Sequence, residues 1–269
     1  MGPTKKRKKA GDRERTARSP SSRQAVQETP DPTDRKRTLR RERWSGLSAA
    51  GAARFPGTFG RIPNFVGAES AAEILCAQPV FQRAEWLKCN PDLPQRPLRY
   101  RALLAGKRIY MAVPRLAEKR PFVLLDPRKL DPGELWRASS IRGAFELGRP
   151  VTLKQLHPVE LIVTGCVGAT PDGSRLGKGG GYADLEYALL RESKKAGPRT
   201  PIVTTLHSSQ VLRNGSVPML PHDISLDGYA TETRWVSCKR KARRPRGILW
   251  DVLEEEKRKA IPVLARGRL

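Results

Sequence analysis

Few features restrict a fold as tightly as a cluster of glycines set between a buried strand and a helix. Here the cluster reads Gly173-Ser174-Arg175-Leu176-Gly177-Lys178-Gly179-Gly180-Gly181-Tyr182-Ala183-Asp184. Before it, Glu160–Val167 (ELIVTGCV) is a nearly continuous apolar run of strand length, the pattern of a parallel strand covered on both faces. After it, Tyr182 to about Lys195 repeats apolar residues at helical spacing (Leu185, Ala188, Leu189) and stops at Gly197-Pro198. The glycines therefore lie at the carboxyl end of a parallel strand, where open α/β sheets bind their ligands.

The residue types suit a phosphate. Glycines permit positive φ and leave backbone N–H groups uncovered, so an anion can approach the chain closely. The helix that follows adds its unpaired first N–H groups and the positive end of its dipole. Arg175 and Lys178 bring charge, and Asp184 in the first turn can hold a magnesium ion bridging phosphates. The segment is neither a Walker A loop nor a GxGxxG fingerprint. A flexible surface loop is the alternative. The ordered company of strand, cations, helix start and acid favours the phosphate, and ATP is the expected ligand. Asp223, in Pro221-His222-Asp223, is a candidate second metal ligand or a turn former. His157 and His207 lack partner spacing and read as structural.

The rest of the chain alternates strands and helices. Helices are expected from Asp34 as cap (with Leu39, Trp44 and Leu47 apolar), over Glu69–Ala77, over Leu98–Leu104 ending at Gly106, and over Ser140–Leu147 stopped by Gly148. Strands are expected at Trp86–Lys88, Arg108–Val113 and Pro201–Leu206, with a short one over Ile224–Asp227. On the first helix Lys36 and Arg40, and Arg37 and Arg41, stack four residues apart. A solvated face is the default reading of such a stripe. This order predicts an α/β domain: an open, mostly parallel sheet with helices on both faces, spanning residues 35–269. Residues 1–34 read as a disordered basic tail, rich in Ser, Pro and Thr and carrying Lys5-Lys6-Arg7-Lys8-Lys9.

The formal net charge of +25 predicts attraction to polyanions. A second basic cluster, Lys239-Arg240-Lys241 with Arg243, Arg244 and Arg246, has no interleaved aromatic residues of the kind that stack on bases. Weak, non-specific nucleic-acid binding is the expectation. The four scattered cysteines form no CxxC pair and suit a reducing cytoplasm. No apolar run is long enough to span a bilayer, so no membrane partner is expected.

Arg175-Leu176-Gly177-Lys178-Gly179-Gly180-Gly181-Tyr182 followed by Asp184 resembles the RLGRGGGYYD signature of the 5-formyltetrahydrofolate cyclo-ligase family. The methenyltetrahydrofolate synthetase domain-containing branch is closer still. It is similar at Ile62-Pro63-Asn64-Phe65, Asn90-Pro91-Asp92, Tyr182–Tyr187 and Gly247-Ile248-Leu249-Trp250, and the likeness covers about Arg35 to Leu264. The resemblance implies an ATP- and magnesium-dependent ligase that closes 5-formyltetrahydrofolate to 5,10-methenyltetrahydrofolate. It further implies that Lys36, Arg40 and the loop Arg175, Leu176, Gly177, Lys178, Gly179, Gly180, Gly181 and Tyr182 hold ATP. Lys178 and Tyr182 would lie between ATP and folate, and Asp184 and Asp223 would bind magnesium. The family's folate-holding Glu has no counterpart in Leu93–Arg99. A non-catalytic nucleotide- or RNA-binding protein on the same fold is the second reading. If the basic segments attract RNA only by charge, log K should fall linearly with log salt concentration and differ little between sequences, which filter binding across a salt series will measure.

Overall fold

The computed structural model describes residues 1, 2, 4 and 31–265. Most of the segment expected to be disordered lies outside these described residues, but its end does not. Helix α1 spans Pro32–Ala49 and is capped by Asp31, whose carboxylate accepts from the N–H groups of Thr33 (2.7 Å) and Asp34 (3.3 Å). An Asp followed by a first-turn Pro is a stronger start signal than Asp34. The helix therefore begins before the boundary expected at residue 35.

Helices α2 (Ala68–Cys76) and α3 (Pro79–Gln82) lead to β1 (Trp86–Cys89), then α4 (Arg96–Leu104) and β2 (Arg108–Ala112). Next come β3 (Phe122–Leu125), α5 (Leu135–Ala138), α6 (Ile141–Leu147), β4 (Arg149–Val151) and β5 (Leu161–Val163). A two-stranded hairpin, β6 (Gly168–Ala169) with β7 (Arg175–Leu176), precedes α7 (Tyr182–Glu192). The chain continues through β8 (Ile202–Thr205), β9 (Gly228–Ala230), β10 (Trp235–Ser237) and α8 (Glu255–Ala260).

The eight-stranded sheet has the order β10-β9-β8-β5-β1-β2-β3-β4. Its centre, from β9 through β8, β5 and β1 to β2, is parallel. Strands β3, β4 and β10 are antiparallel additions at the two edges. The edge strands β3 and β4 fall in the proline-rich passage and escape sequence reading, because short strands beside prolines carry almost no periodicity. The strand expected over Ile224–Asp227 lies instead at Gly228–Ala230.

Alternation along the strands sorts the core. Leu87, Cys89, Ile109, Met111, Leu161, Val163, Val203 and Ala230 face α2, α4, α5 and α6. Tyr110, Leu124, Val151, Ile162, Ile202 and Tyr229 face the other way, onto Leu185, Ala188 and Leu189 of α7 and onto Ile248, Ile261 and Leu264. A continuous apolar strand such as Leu161-Ile162-Val163 thus divides its residues between two layers. A third cluster seats α1, through Leu39 and Trp44, on Ile62, Val167, Leu176 and Leu212.

Gly148 closes α6 with its N–H on the Ala144 carbonyl at 2.9 Å. A Cβ there would lie 2.3 Å from Val123 Cγ1 and 2.5 Å from Ala144 O. Gly148→Ala should therefore destabilise the domain by about 1–3 kcal/mol through overpacking, read as a lower midpoint in denaturant unfolding.

Candidate functional site

Strands β1 and β5 are neighbours, yet the chain leaves β1 toward β2 on one side and β5 toward β8 on the other. That reversal opens a crevice at their carboxyl ends. The Asn90–Asp92 loop follows β1 and borders this crevice. Arg99, fully buried on α4, shapes that loop by donating to the carbonyls of Asn90 (2.5 Å), Asp92 (3.0 Å) and Pro91 (3.2 Å).

The glycine cluster splits into two parts. Gly173 to Leu176 belong to the β6–β7 hairpin and its turn. There the Asp172 carboxylate accepts from Ser174 Oγ (3.0 Å), Gly215 N (3.0 Å) and Thr170 Oγ1. The turn chemistry of Thr170-Pro171-Asp172-Gly173-Ser174 explains why this half is not a ligand loop. Leu176 is fully buried against α1, so its side chain is core and not a nucleotide contact. Arg175 is also buried. Its Nη2 donates to both oxygens of Asp184 (2.7 and 2.8 Å) and its Nη1 to the Gly165 carbonyl (3.1 Å). Burial pushes the guanidinium pKa down, but Asp184 beside it outweighs this and holds it above its ordinary value. Arg175 thus spends its charge inside the protein, contrary to the phosphate-binding role expected of it.

What remains accessible is Gly177–Gly181, with Lys178, Gly179 and Gly181 exposed and Gly177 and Gly180 half-buried. Gly179 (φ 108°) and Gly181 (φ 70°) occupy the left-handed region, which turns the chain sharply into α7. Gly181 is the N-cap and offers no side chain to the first N–H groups, so the end of α7 is open to an anion. Lys178 is exposed at the loop tip. The Arg40 guanidinium lies 3.4 Å from where a Gly179 Cβ would stand and donates from Nε to the Gly177 carbonyl at 2.7 Å. Tyr182 is half-buried, its ring packed on Gly180. Lys36, one turn before Arg40, is buried in an ion pair with Asp223. The Lys36/Arg40 stripe is therefore a docking face, while Arg37 and Arg41 form the solvated one.

Sequence reading passed over Lys257, whose ammonium is 3.5 Å from the Gly181 Cβ position, because it arrives from the distant α8. Beside it, Leu185, Ala188, Ile248, Leu249 and Leu253 line a cavity of about 120 Å3 that reaches Gly181 and His222. It also passed over a buried triad beneath the crevice. Lys88 on β1 pairs with Glu186 on α7, and Asn90 bonds both, accepting from Lys88 at 2.9 Å and donating to Glu186 at 3.1 Å. Asp92 adds a half-buried carboxylate to which no hydrogen bond runs among the described residues. Burial raises its pKa, against the pull of Lys178 first, then Arg99, Lys88 and Arg175.

The metal expectation fares unequally. Both Asp184 oxygens are committed to Arg175, and Oδ1 also accepts from Ile224 N (3.0 Å), so Asp184 does not fit a ligand role. Asp223 uses Oδ2 for Lys36 and for Leu220 N (2.6 Å), leaving Oδ1 with only His222 Nε2 at 3.8 Å. Among the described residues no three His, Cys, Asp or Glu side chains gather as a metal site. The second basic cluster is also partly consumed. Arg244 is tied to Asp227 (2.5 Å), Ser225 O (2.8 Å) and Thr200 O (3.1 Å). No helix among the described residues is long and apolar enough to cross a membrane.

The model of the 5-formyltetrahydrofolate cyclo-ligase family matches residues 32–232. The methenyltetrahydrofolate synthase domain-containing protein of Mus musculus is 34% identical over 87% of this chain and 63% of its own length. That of Bos taurus is 32% identical over 85% of this chain and 60% of its own. The mitochondrial 5-formyltetrahydrofolate cyclo-ligase of Arabidopsis thaliana is 33% identical over 31% of each. The chain thus spans about three-fifths of the length of its longer-matching animal relatives.

Because the Arg175–Asp184 pair is buried, removing one partner strands the other. Asp184→Asn or Arg175→Met alone should cost about 3–5 kcal/mol, and the double variant Arg175→Met/Asp184→Leu less than the sum of the singles, measured by denaturant unfolding in a double-mutant cycle. The harmless Asp184→Asn that a solvent-facing metal ligand would allow is not expected.

Proposed function

As the chain belongs to the 5-formyltetrahydrofolate cyclo-ligase family, we propose that it binds ATP at Gly177–Gly181 and uses it to close 5-formyltetrahydrofolate to 5,10-methenyltetrahydrofolate. One observation carries the reading. An exposed glycine loop, an open helix N-terminus and the cations Lys178, Arg40 and Lys257 converge at one mouth of the β1/β5 crevice. Phosphoryl transfer needs mostly positioning and charge neutralisation, and this arrangement offers both.

In this reading the α7 N–H groups and Arg40 hold the phosphate chain, with the nucleoside toward the apolar cavity beside Lys257. Lys178 neutralises the γ-phosphoryl group as it passes to the formyl oxygen. The folate N10 then attacks the activated carbon and gives up its proton, and the former formyl oxygen leaves with phosphate. Tyr182 and the loop backbone separate nucleotide from folate. Asp92 offers a carboxylate with no hydrogen-bond partner among the described residues at the crevice edge, a substitute for the acid missing from Leu93–Arg99, and would accept from the folate's N–H groups. Magnesium carried with the nucleotide would supply further neutralisation, and Asp223 through Oδ1 is the residue to hold it. Soluble substrates of this kind agree with a cytoplasmic setting.

The non-catalytic alternative is separated by one set of measurements. ATP at 100 times its dissociation constant should stabilise the protein by about 2.7 kcal/mol in a thermal shift assay. Lys178→Ala should lose most of that shift. Asp92→Asn should keep the shift but raise KM for 5-formyltetrahydrofolate by about tenfold, for a lost charged hydrogen bond, in an absorbance assay of the methenyl product. A shift without turnover would leave a nucleotide-binding protein, and no shift with any nucleotide would sink both readings.

A further inference from the structure

A larger cavity, of about 510 Å3, opens at the opposite edge of the sheet, where the parallel strands begin. It is a product of strand register. Trp86 pairs with Arg108, Tyr110 with Leu124 and Leu124 with Arg149, so these five side chains emerge from one face. α7 packs on the same face but farther along, at Leu185, Ala188 and Leu189, which leaves the strand beginnings open.

The lining combines two chemistries. The first is an aromatic stack. His157 lies on Trp86 with ring centroids 4.2 Å apart and planes 13° apart, and Tyr110 lies beyond at 5.4 Å and 18°. Tyr110 is fully buried and its hydroxyl accepts from His157 N at 2.9 Å, while His157 is exposed. His157 is thus the outer leaf, where a further planar group can add. The second chemistry is positive charge: Arg108, Arg128, Lys129 and Arg149 line the cavity against one carboxylate, Asp126. Arg128 grips Asp126 with two bonds (3.1 and 2.9 Å), and its hydrogen bonds hold the carboxyl below the usual carboxylate range. Arg108 meets Asp126 at 3.6 Å and Glu85 at 3.7 Å, and its buried Nε has no hydrogen-bond partner. Lys129 and Arg149 make no ion pair among the described residues. The cavity therefore keeps net positive charge beside a stack with an open outer leaf.

The geometry points to a second ligand site, separate from the glycine loop, that takes a nucleotide: its base stacks on His157 and its phosphate is held by Arg149, Lys129 and Arg108. The volume falls in the range of small-molecule sites, and the stack with flanking cations is how proteins hold a base and its phosphate together. The same chemistry is presented by a free mononucleotide and by the 5′-phosphorylated end of a single-stranded RNA. This site stands or falls independently of the folate reading.

Isothermal titration with guanosine 5′-monophosphate, ribose 5-phosphate and guanosine tests it on the full chain. The nucleotide should bind at least about tenfold tighter than either fragment, because stacking and a charged hydrogen bond each contribute that much. His157→Ala and Arg149→Ala should each weaken it about tenfold. Quenching of tryptophan fluorescence by the nucleotide should diminish in Trp86→Phe. A 5′-phosphorylated RNA trinucleotide that binds tighter through the same residues would name RNA as the source, and one that binds no tighter would name the free nucleotide. Equal binding of ribose 5-phosphate would overturn the proposal. So would binding that survives both His157→Ala and Arg149→Ala but is lost in Lys178→Ala, which would return the nucleotide to the glycine loop.

Discussion

The buried pair between Arg175 and Asp184 ties the glycine loop to the end of β5 and to the segment before β9. Arg175 belongs to the β6–β7 hairpin and Asp184 to the first turn of α7, and the loop Gly177–Gly181 lies between them. The second guanidinium nitrogen reaches the Gly165 carbonyl just past β5, and the Asp184 carboxylate receives the Ile224 N–H. One ion pair thus fixes both ends of the glycine loop to the sheet and to the segment that carries Asp223. A loop of glycines would otherwise sample many conformations, and clamping its ends removes much of that freedom before any ligand arrives.

This clamp also decides where positive charge remains available. Arg175 is neutralised by Asp184 and Lys36 by Asp223, so among the described residues the cations left without an ion pair at the loop are Lys178 and Arg40, while Lys257 is shared with Glu254 at 2.8 Å. Burial is the main cause that pushes the Arg40 guanidinium below its ordinary value, with Arg175 adding to it and Asp223 opposing. A cation held in that way gains from a nearby anion. Elsewhere, Arg99 and Arg244 are spent on carbonyls and on Asp227. The number of lysines and arginines is therefore a poor index of the cations a ligand would meet at the loop, although the net charge of +25 already counts the acids that pair with them.

The two edges of the sheet use one register differently. Along the face that carries Trp86 and Lys88, the carboxyl side is sealed by α7 through the Lys88–Glu186 pair, and the crevice opens above it. At the amino side the same face is left to Trp86, Arg108, Tyr110 and Arg149, and a wider cavity results. Buried polar groups under the crevice fix the distance between β1 and α7, because neither charge can move without stranding the other.

The sequence by itself determined the α/β architecture, since apolar runs of strand length alternating with amphipathic helices bury both faces of a sheet in only a few ways. It also determined the glycine loop and helix start, because the backbone conformations at Gly179 and Gly181 are close to closed to other residues. Gly106 as a helix end was legible for the same local reason (φ 74°), whereas Gly148, in extended backbone, is required by the close approach of Val123 and the Ala144 carbonyl. Only the tertiary structure decided how charges pair. Asp184 lies in a first helical turn, which in sequence suits a metal as well as it suits an arginine. Its partner became visible when the hairpin around Asp172 carried Arg175 back onto α7. Lys88 with Glu186, Asp92 beside Gly165, and Lys257 over Gly181 are likewise encounters between residues far apart in the chain. Ion pairs are set by distance in space, and local periodicity holds no record of which distant charges will meet.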